Sequence, residues 1–256
     1  IYQMIDTLGN LPIVKSYINV IQTLSTGYKV WGKVEIGPIY SSYSNNIIEG
    51  NRFRFGLRTS NDFSKKIELS GYAAYGLKDK EFKYGGGTRF FITKEPRRLV
   101  QMIYKHDIEQ VGLSSNAYNN SSIVTAFRRN PYNKLVFNTE YRVNYFREWF
   151  PGFSTEILLR NSNFRPIGIT TFNEINSDGI VQPNSLLSAT EIAVNTRFAY
   201  NEEFLSGEFE RISLGTKFPV FSLTYTYGIP NVLGSKYEYH KARFSFKHKF
   251  PLGIFG

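Results

Sequence analysis

The chain carries three histidines, His106, His240 and His248, and no cysteine. Nucleophilic or metal chemistry would have to be built around them, and their spacing does not favour it. His106 and Asp107 are neighbours, and on a strand neighbouring side chains face opposite sides, so the two cannot pair directly. His240 and His248 share a face but stand about 26 Å apart at strand rise. Serines are plentiful, yet none sits in a nucleophile-elbow pattern. Gly85, Gly86 and Gly87 are not followed by the Lys-Ser/Thr pair or helix start of a phosphate loop. No ligand pair has convincing metal spacing, and no disulfide framework or thiolate site is available. The expectation is no catalytic residue, no metal and no cofactor. The alternative is a lipid or peptide hydrolase with a site at the rim or in the lumen of a barrel.

The most suggestive charges are Arg52, Arg54 and Arg58, which alternate with Phe53, Phe55 and Leu57. A strand has a side-chain period of two, so this stretch is a ribbon with a basic ladder on one face and an apolar band on the other. The ladder suits anionic headgroups, a translocating chain or an anionic solute. The favoured reading is pairing with Glu68, Glu140 or Glu156 on other strands inside the lumen. The apolar band faces either a protein core or lipid.

The elements that would position these residues are mostly strands. Aromatic residues make up 16% of the 256, with 18 Tyr and 22 Phe against two Trp, and that excess suits a pleated surface. Alternating segments are predicted at 28–36, 39–43, 52–59, 66–76, 82–92, 98–109, 122–127, 189–200, 207–227 and 236–249. The clearest hairpin joins 134–149 to 153–164 across Phe150-Pro151-Gly152. The polar stretch 165–187 reads as the longest connection. Ile13, Val14, Tyr17, Ile18 and Ile21 fall at helical spacing, so residues 1–26 read as a short amphipathic helical lead-in and 27–256 as the β-domain.

Several of these strands reach ten residues or more, whereas strands in soluble proteins average about five to six and membrane-spanning strands need about nine to eleven. Aromatic residues gather near strand ends, as interfacial girdles do. No run of about 18 apolar residues exists, which excludes a transmembrane helix but not a barrel. The net charge of +10 is spread through many segments, so a nucleic-acid platform is not expected. The reading is an all-β, antiparallel outer-membrane β-barrel of 10–12 or more strands, with Phe53, Phe55 and Leu57 facing lipid and Arg52, Arg54 and Arg58 facing a polar lumen.

The stretches Thr26-Gly27-Tyr28, Gly37-Pro38, Asn45 to Gly56, Tyr75-Gly76-Leu77-Lys78-Asp79, Lys83-Tyr84-Gly85 and Leu214 to Pro219 carry a family likeness. They resemble the Bacteroidota outer-membrane β-barrel family with a carboxypeptidase-regulatory-like N-terminal domain. Glu49-Gly50-Asn51-Arg52 and Tyr75 to Asp79 are the most specific parts. The resemblance implies that this chain is the barrel part, without the first domain and without the closing C-terminal strands. It implies residence in the outer membrane of a Gram-negative cell, with membrane lipid as partner and other envelope proteins or a translocating chain as further partners. It also implies a non-enzymatic role in envelope biogenesis or transport. At the level of fold, the barrel is similar to bacterial surface-antigen barrels of the outer-membrane assembly superfamily, which insert or translocate proteins.

Overall fold

A computed structural model describes residues 23, 26–110, 135–168, 170–175 and 181–249. The segments 1–22 and 122–127, for which a helix and a strand are expected, lie outside the described residues. The chain is all-β. One antiparallel sheet of twelve strands dominates, and two small hairpins accompany it.

The sheet begins with a hairpin of β1 (Lys29–Trp31) and β2 (Val34–Ile36), where a single strand over 28–36 is predicted. Gly32, at φ +58°, supplies the left-handed turn that the alternation pattern hid. β2 and β3 (Tyr43–Asn46) both pair with β4 (Gly50–Thr59), one after the other, so they act as one strand interrupted at Gly37–Ser42. Gly37 and Gly56 explain how the interruption packs. A Cβ on Gly56 would stand 2.3 Å from the Gly37 carbonyl oxygen, and one on Gly37 2.5 Å from that of Gly27. Three backbone segments therefore cross where no side chain fits.

From β4 the sheet is a meander through β5 (Ile67–Gly76), β6 (Phe82–Thr93), β7 (Arg98–Gln110), β8 (Leu135–Phe150) and β9 (Phe153–Pro166). The expected hairpin at Pro151-Gly152 joins β8 to β9. The 165–187 connection contains a hairpin of its own, β10 (Phe172–Ile175) with β11 (Val181–Asn184). β12 (Leu187–Ala199) then pairs with β9. The strand predicted over 207–227 is two elements. β13 (Glu203–Ser206) and β14 (Arg211–Gly215) form a separate hairpin, and β15 (Val220–Gly228) returns to β12. Gly215 at φ +101° and Pro219, which lacks an N–H for the ladder, break the run between them. β16 (Tyr239–Lys247) completes the order.

β1 and β16 are the edges of the sheet, and among the described residues no ladder joins them. Among the described residues the architecture is thus one large antiparallel sheet, in which closure into the barrel expected from the sequence is not seen.

Strands β7, β8, β9 and β12 run to 13, 16, 14 and 13 residues. Connections at one end, the turn end, are short at 94–97 and 151–152, with 200–219 as the exception. Those at the other, the loop end, include 111–134, 167–186 and 229–238. At the loop end Arg165, beyond the middle of the sheet, reaches Glu81 between β5 and β6. A Cβ on Gly168 would lie 3.3 Å from Ile48 beside β4. Strands five places apart can meet this way only if the sheet curls.

Candidate functional site

The two faces of the sheet are inverted relative to a protein core. On β4, Phe53, Phe55 and Leu57 are 53%, 58% and 44% exposed, while Arg52, Arg54 and Arg58 are tucked into the inner face. The pattern repeats on β8, where Asn138, Glu140, Arg142 and Asn144 are buried and Tyr141 and Val143 are exposed. Burying charge is costly unless it is paired and hydrogen-bonded, so the inner face is a set of ionic networks.

The densest network lies at the loop end and is built by the two sequence motifs read as most specific. Glu49, in the turn before β4, accepts from Asn46 Nδ2 at 2.6 Å and lies 3.0 Å from the Lys83 ammonium. Lys83 is fully buried and also pairs with Asp79. Arg52 bridges Glu49, at 3.3 Å, to Asp107 on β7. Tyr72 on β5 donates to the same Asp107 carboxylate at 2.7 Å. The glycines of the motifs make room. A Cβ at Gly76 would stand 2.3 Å from an Asp79 carboxylate oxygen. Gly50, at φ +65°, sets the turn that lets Lys78 N–H donate to the Glu49 carbonyl.

Gly85 is explained in the same way. A Cβ there would lie 2.7 Å from the Tyr72 ring, which passes over β6 to reach β7. The sequence signal was a glycine inside a strand. Its reason, an aromatic crossing overhead, needs the sheet order.

The arginine ladder divides. Arg52 belongs to the network above. Arg58 pairs with Glu35 at 2.7 Å and lies 3.9 Å over the Tyr28 ring. Arg54 lies 3.9 Å over Tyr72, with Ser41 Oγ at 3.4 Å from its Nη1. The carboxylates proposed from the sequence are engaged elsewhere: Glu68 with Arg89 at 2.6 Å, Glu140 with Arg142 at 2.8 Å, and Glu156 with Asn144 at 3.0 Å. Same-face spacing along one strand does not specify the partner, because curl brings distant strands together. Asp107 and Glu35, the partners that matter, had no distinguishing signal in the sequence.

His106 and His240 stand on strands far apart in the sheet order. His106 is on the outer face, its Nδ1 2.8 Å from Thr139 Oγ1 and its ring stacked on Phe137, while Asp107 points to the inner face. His240, on β16, meets Tyr225 and Tyr227. β8, β9, β12 and β15 separate it from His106. Among the described residues no group of three His, Cys, Asp or Glu side chains converges as metal ligands would.

Fold and site together define a class: an all-β chain with one large curled antiparallel sheet, ionic inside and apolar outside. A family model described as "Family of unknown function (DUF5686) C-terminal domain" matches residues 17–256, and the chain belongs to that family. No curated protein and no solved structure matches the chain.

Proposed function

We propose that this chain is the wall of an integral outer-membrane β-barrel of a Gram-negative cell, non-enzymatic, acting in envelope biogenesis or transport. In this reading Phe53, Phe55 and Leu57 face lipid and Arg52, Arg54 and Arg58 face the lumen. The observation that carries it is the inversion of the two faces. Long strands present rows of exposed apolar side chains on the outer surface, of a kind monomeric soluble proteins rarely show, and their inner surface is charged and paired.

The outer surface carries both aliphatic and aromatic side chains. Leu57, Leu69, Met102, Val143, Ile157, Leu159 and Leu223 lie on it and are exposed. Tyr104 packs against Tyr84 and Tyr141 with tilted rings, their centroids 5.9 and 5.0 Å away. Toward the turn end, Phe150 stacks with Phe153 at 5.3 Å, and Phe221 packs against Phe246 with tilted rings at 5.4 Å. An outward face of aliphatic side chains with clustered aromatic rings is what a bilayer selects. Closure of the sheet is part of the proposal, since an open edge cannot be left unpaired in lipid.

The test is extraction and gel migration. The chain should require detergent and should migrate faster on gels before boiling than after. A monodisperse monomer in plain buffer would sink the proposal.

A further inference from the structure

The connection between β12 and β15 does more than reverse the chain. The β13–β14 hairpin is a two-stranded sheet of its own, and among the described residues no ladder ties it to the large sheet. It is attached through its tip, which reaches across the turn end to β4, β6 and β8. Phe209 is buried and stacks on Phe91 with centroids 5.5 Å apart. Its carbonyl oxygen accepts a hydrogen bond from the Arg97 guanidinium, which itself lies 5.2 Å over the Phe91 ring. Glu210 binds Arg89 at 2.8 Å and stands 3.5 Å from Arg58. Glu208 pairs with Lys94, and Arg211 with Glu148 at 2.9 Å.

The tip does not fill the space it enters. A cavity of about 450 Å³ lies beside it, lined by Phe91, Lys94, Arg97, Ser206, Glu208 and Arg211 among others. The body of the hairpin stays exposed, with Leu205, Ile212 and Leu214 near 60%. Ion pairs as exposed as Lys94–Glu208 hold weakly and are screened by salt.

Three kinds of contact meet in this socket: carboxylates on cations, a ring on a ring, and a main-chain carbonyl on a guanidinium. A simple anion would use only the first. The combination is that of a short polypeptide. We propose that Arg58, Arg89, Phe91, Lys94 and Arg97 form a recognition site for a polypeptide segment in which acidic residues flank an aromatic one, and that Glu208-Phe209-Glu210 is its built-in, displaceable occupant. A tethered occupant acts at an effective concentration on the order of a millimolar, so a segment from another chain competes when the tip is weakened. The site does not depend on the barrel reading.

The test uses the full chain in detergent micelles, which keep it dispersed whether or not it is a membrane protein. A labelled peptide copying residues 205–212 is titrated by fluorescence anisotropy, beside a control peptide in which both glutamates are Gln and the Phe is Ala. The native chain is compared with the variant E208Q/F209A/E210Q. The variant should bind the peptide about tenfold or more tighter than the native chain, should ignore the control, and should lose binding when Arg97→Gln is added. No binding by a variant of native circular dichroism overturns the proposal. So does equal binding by the two chains, or displacement by inorganic phosphate at the peptide's own concentration, which marks a simple anion site.

Should the variant fail to fold, carbodiimide coupling on the native chain decides. With about 1 mM peptide, a peptide–Lys94 adduct in place of the Lys94–Glu208 link supports the site. Persistence of the internal link without an adduct overturns it.

Discussion

Arg52 on β4 donates two hydrogen bonds to Asp107 on β7, at 2.9 and 2.8 Å, although β5 and β6 stand between them. In a flat sheet those strands are about 14 Å apart. The pair therefore works as a chord across the curl of the sheet. Tyr72, reaching the same carboxylate from β5, is a second and shorter chord. Family motif, buried charge and curvature are one feature seen at three levels.

Removing one end of that chord should be costly. Arg52→Ala leaves Asp107 buried with a single hydroxyl and a backbone N–H as partners, and should destabilise the fold by about 3–5 kcal/mol. The double change R52M/D107L removes both charges and should cost much less. Denaturant unfolding in micelles measures both. Equal losses in the single and double variants would refute the chord.

Gly85→Ala should act through Tyr72. The added methyl group displaces the ring, with an overpacking cost of about 1–3 kcal/mol. Tyr72→Phe should then cost clearly less in the Gly85→Ala background than in the native chain, since the Asp107 hydrogen bond is already lost. Additive thermal shifts would show that ring and glycine are not coupled.

Phe55→Arg separates lipid from water as the outer solvent. On the exposed face of a soluble sheet such a change is usually within about 0.5 kcal/mol of neutral. At the middle of a bilayer it costs about 2–4 kcal/mol. Refolding into lipid vesicles should therefore fail or weaken for Phe55→Arg. Ser70→Lys, on the inner face opposite the small residue Gly87, should refold normally. The reverse outcome removes the lipid assignment of Phe53, Phe55 and Leu57.

Most of the strands and the two-faced character of β4 were legible in the sequence, because both depend on a period of two and on local turn residues. The hairpin at Gly32 and the break at Phe218-Pro219 were not. At Gly32 alternation runs on through the turn and only the backbone conformation stops the strand, while at 216–219 the left-handed Gly215 and the missing N–H of Pro219 end the run between apolar segments. The Glu49-Gly50-Asn51-Arg52 and Tyr75 to Asp79 motifs were visible as patterns. Their purpose was not, since Lys83, Asp79, Glu49 and Asp107 converge from four separate segments. The socket around Phe209 was hidden for the same reason: its partners lie more than a hundred residues away in the chain, on β4 and β6 and in the turn after β6.

The tip of the β13–β14 hairpin should respond to acid. At Glu208 the hydrogen bond from Lys94 is the main cause of a pKa below the usual glutamate value. At Glu210, burial alone would raise the pKa, but the hydrogen bond and charge of Arg89, with Arg58 and Arg97, more than offset it and the net shift is downward. Carboxylates with depressed pKa values in the docked state bind fewer protons docked than free. Docking is therefore fully favoured above the ordinary glutamate range and is lost as pH falls through the lowered values. The arginines stay charged throughout and do not alter the sign. Hydrogen exchange at Phe209 and Glu210, corrected for intrinsic rate, should show protection that is flat from neutral pH down to about 5 and falls below it. The E208Q/E210Q variant should show weaker protection with no such fall. Protection that increases on acidification would mean that these carboxylates do not hold the tip.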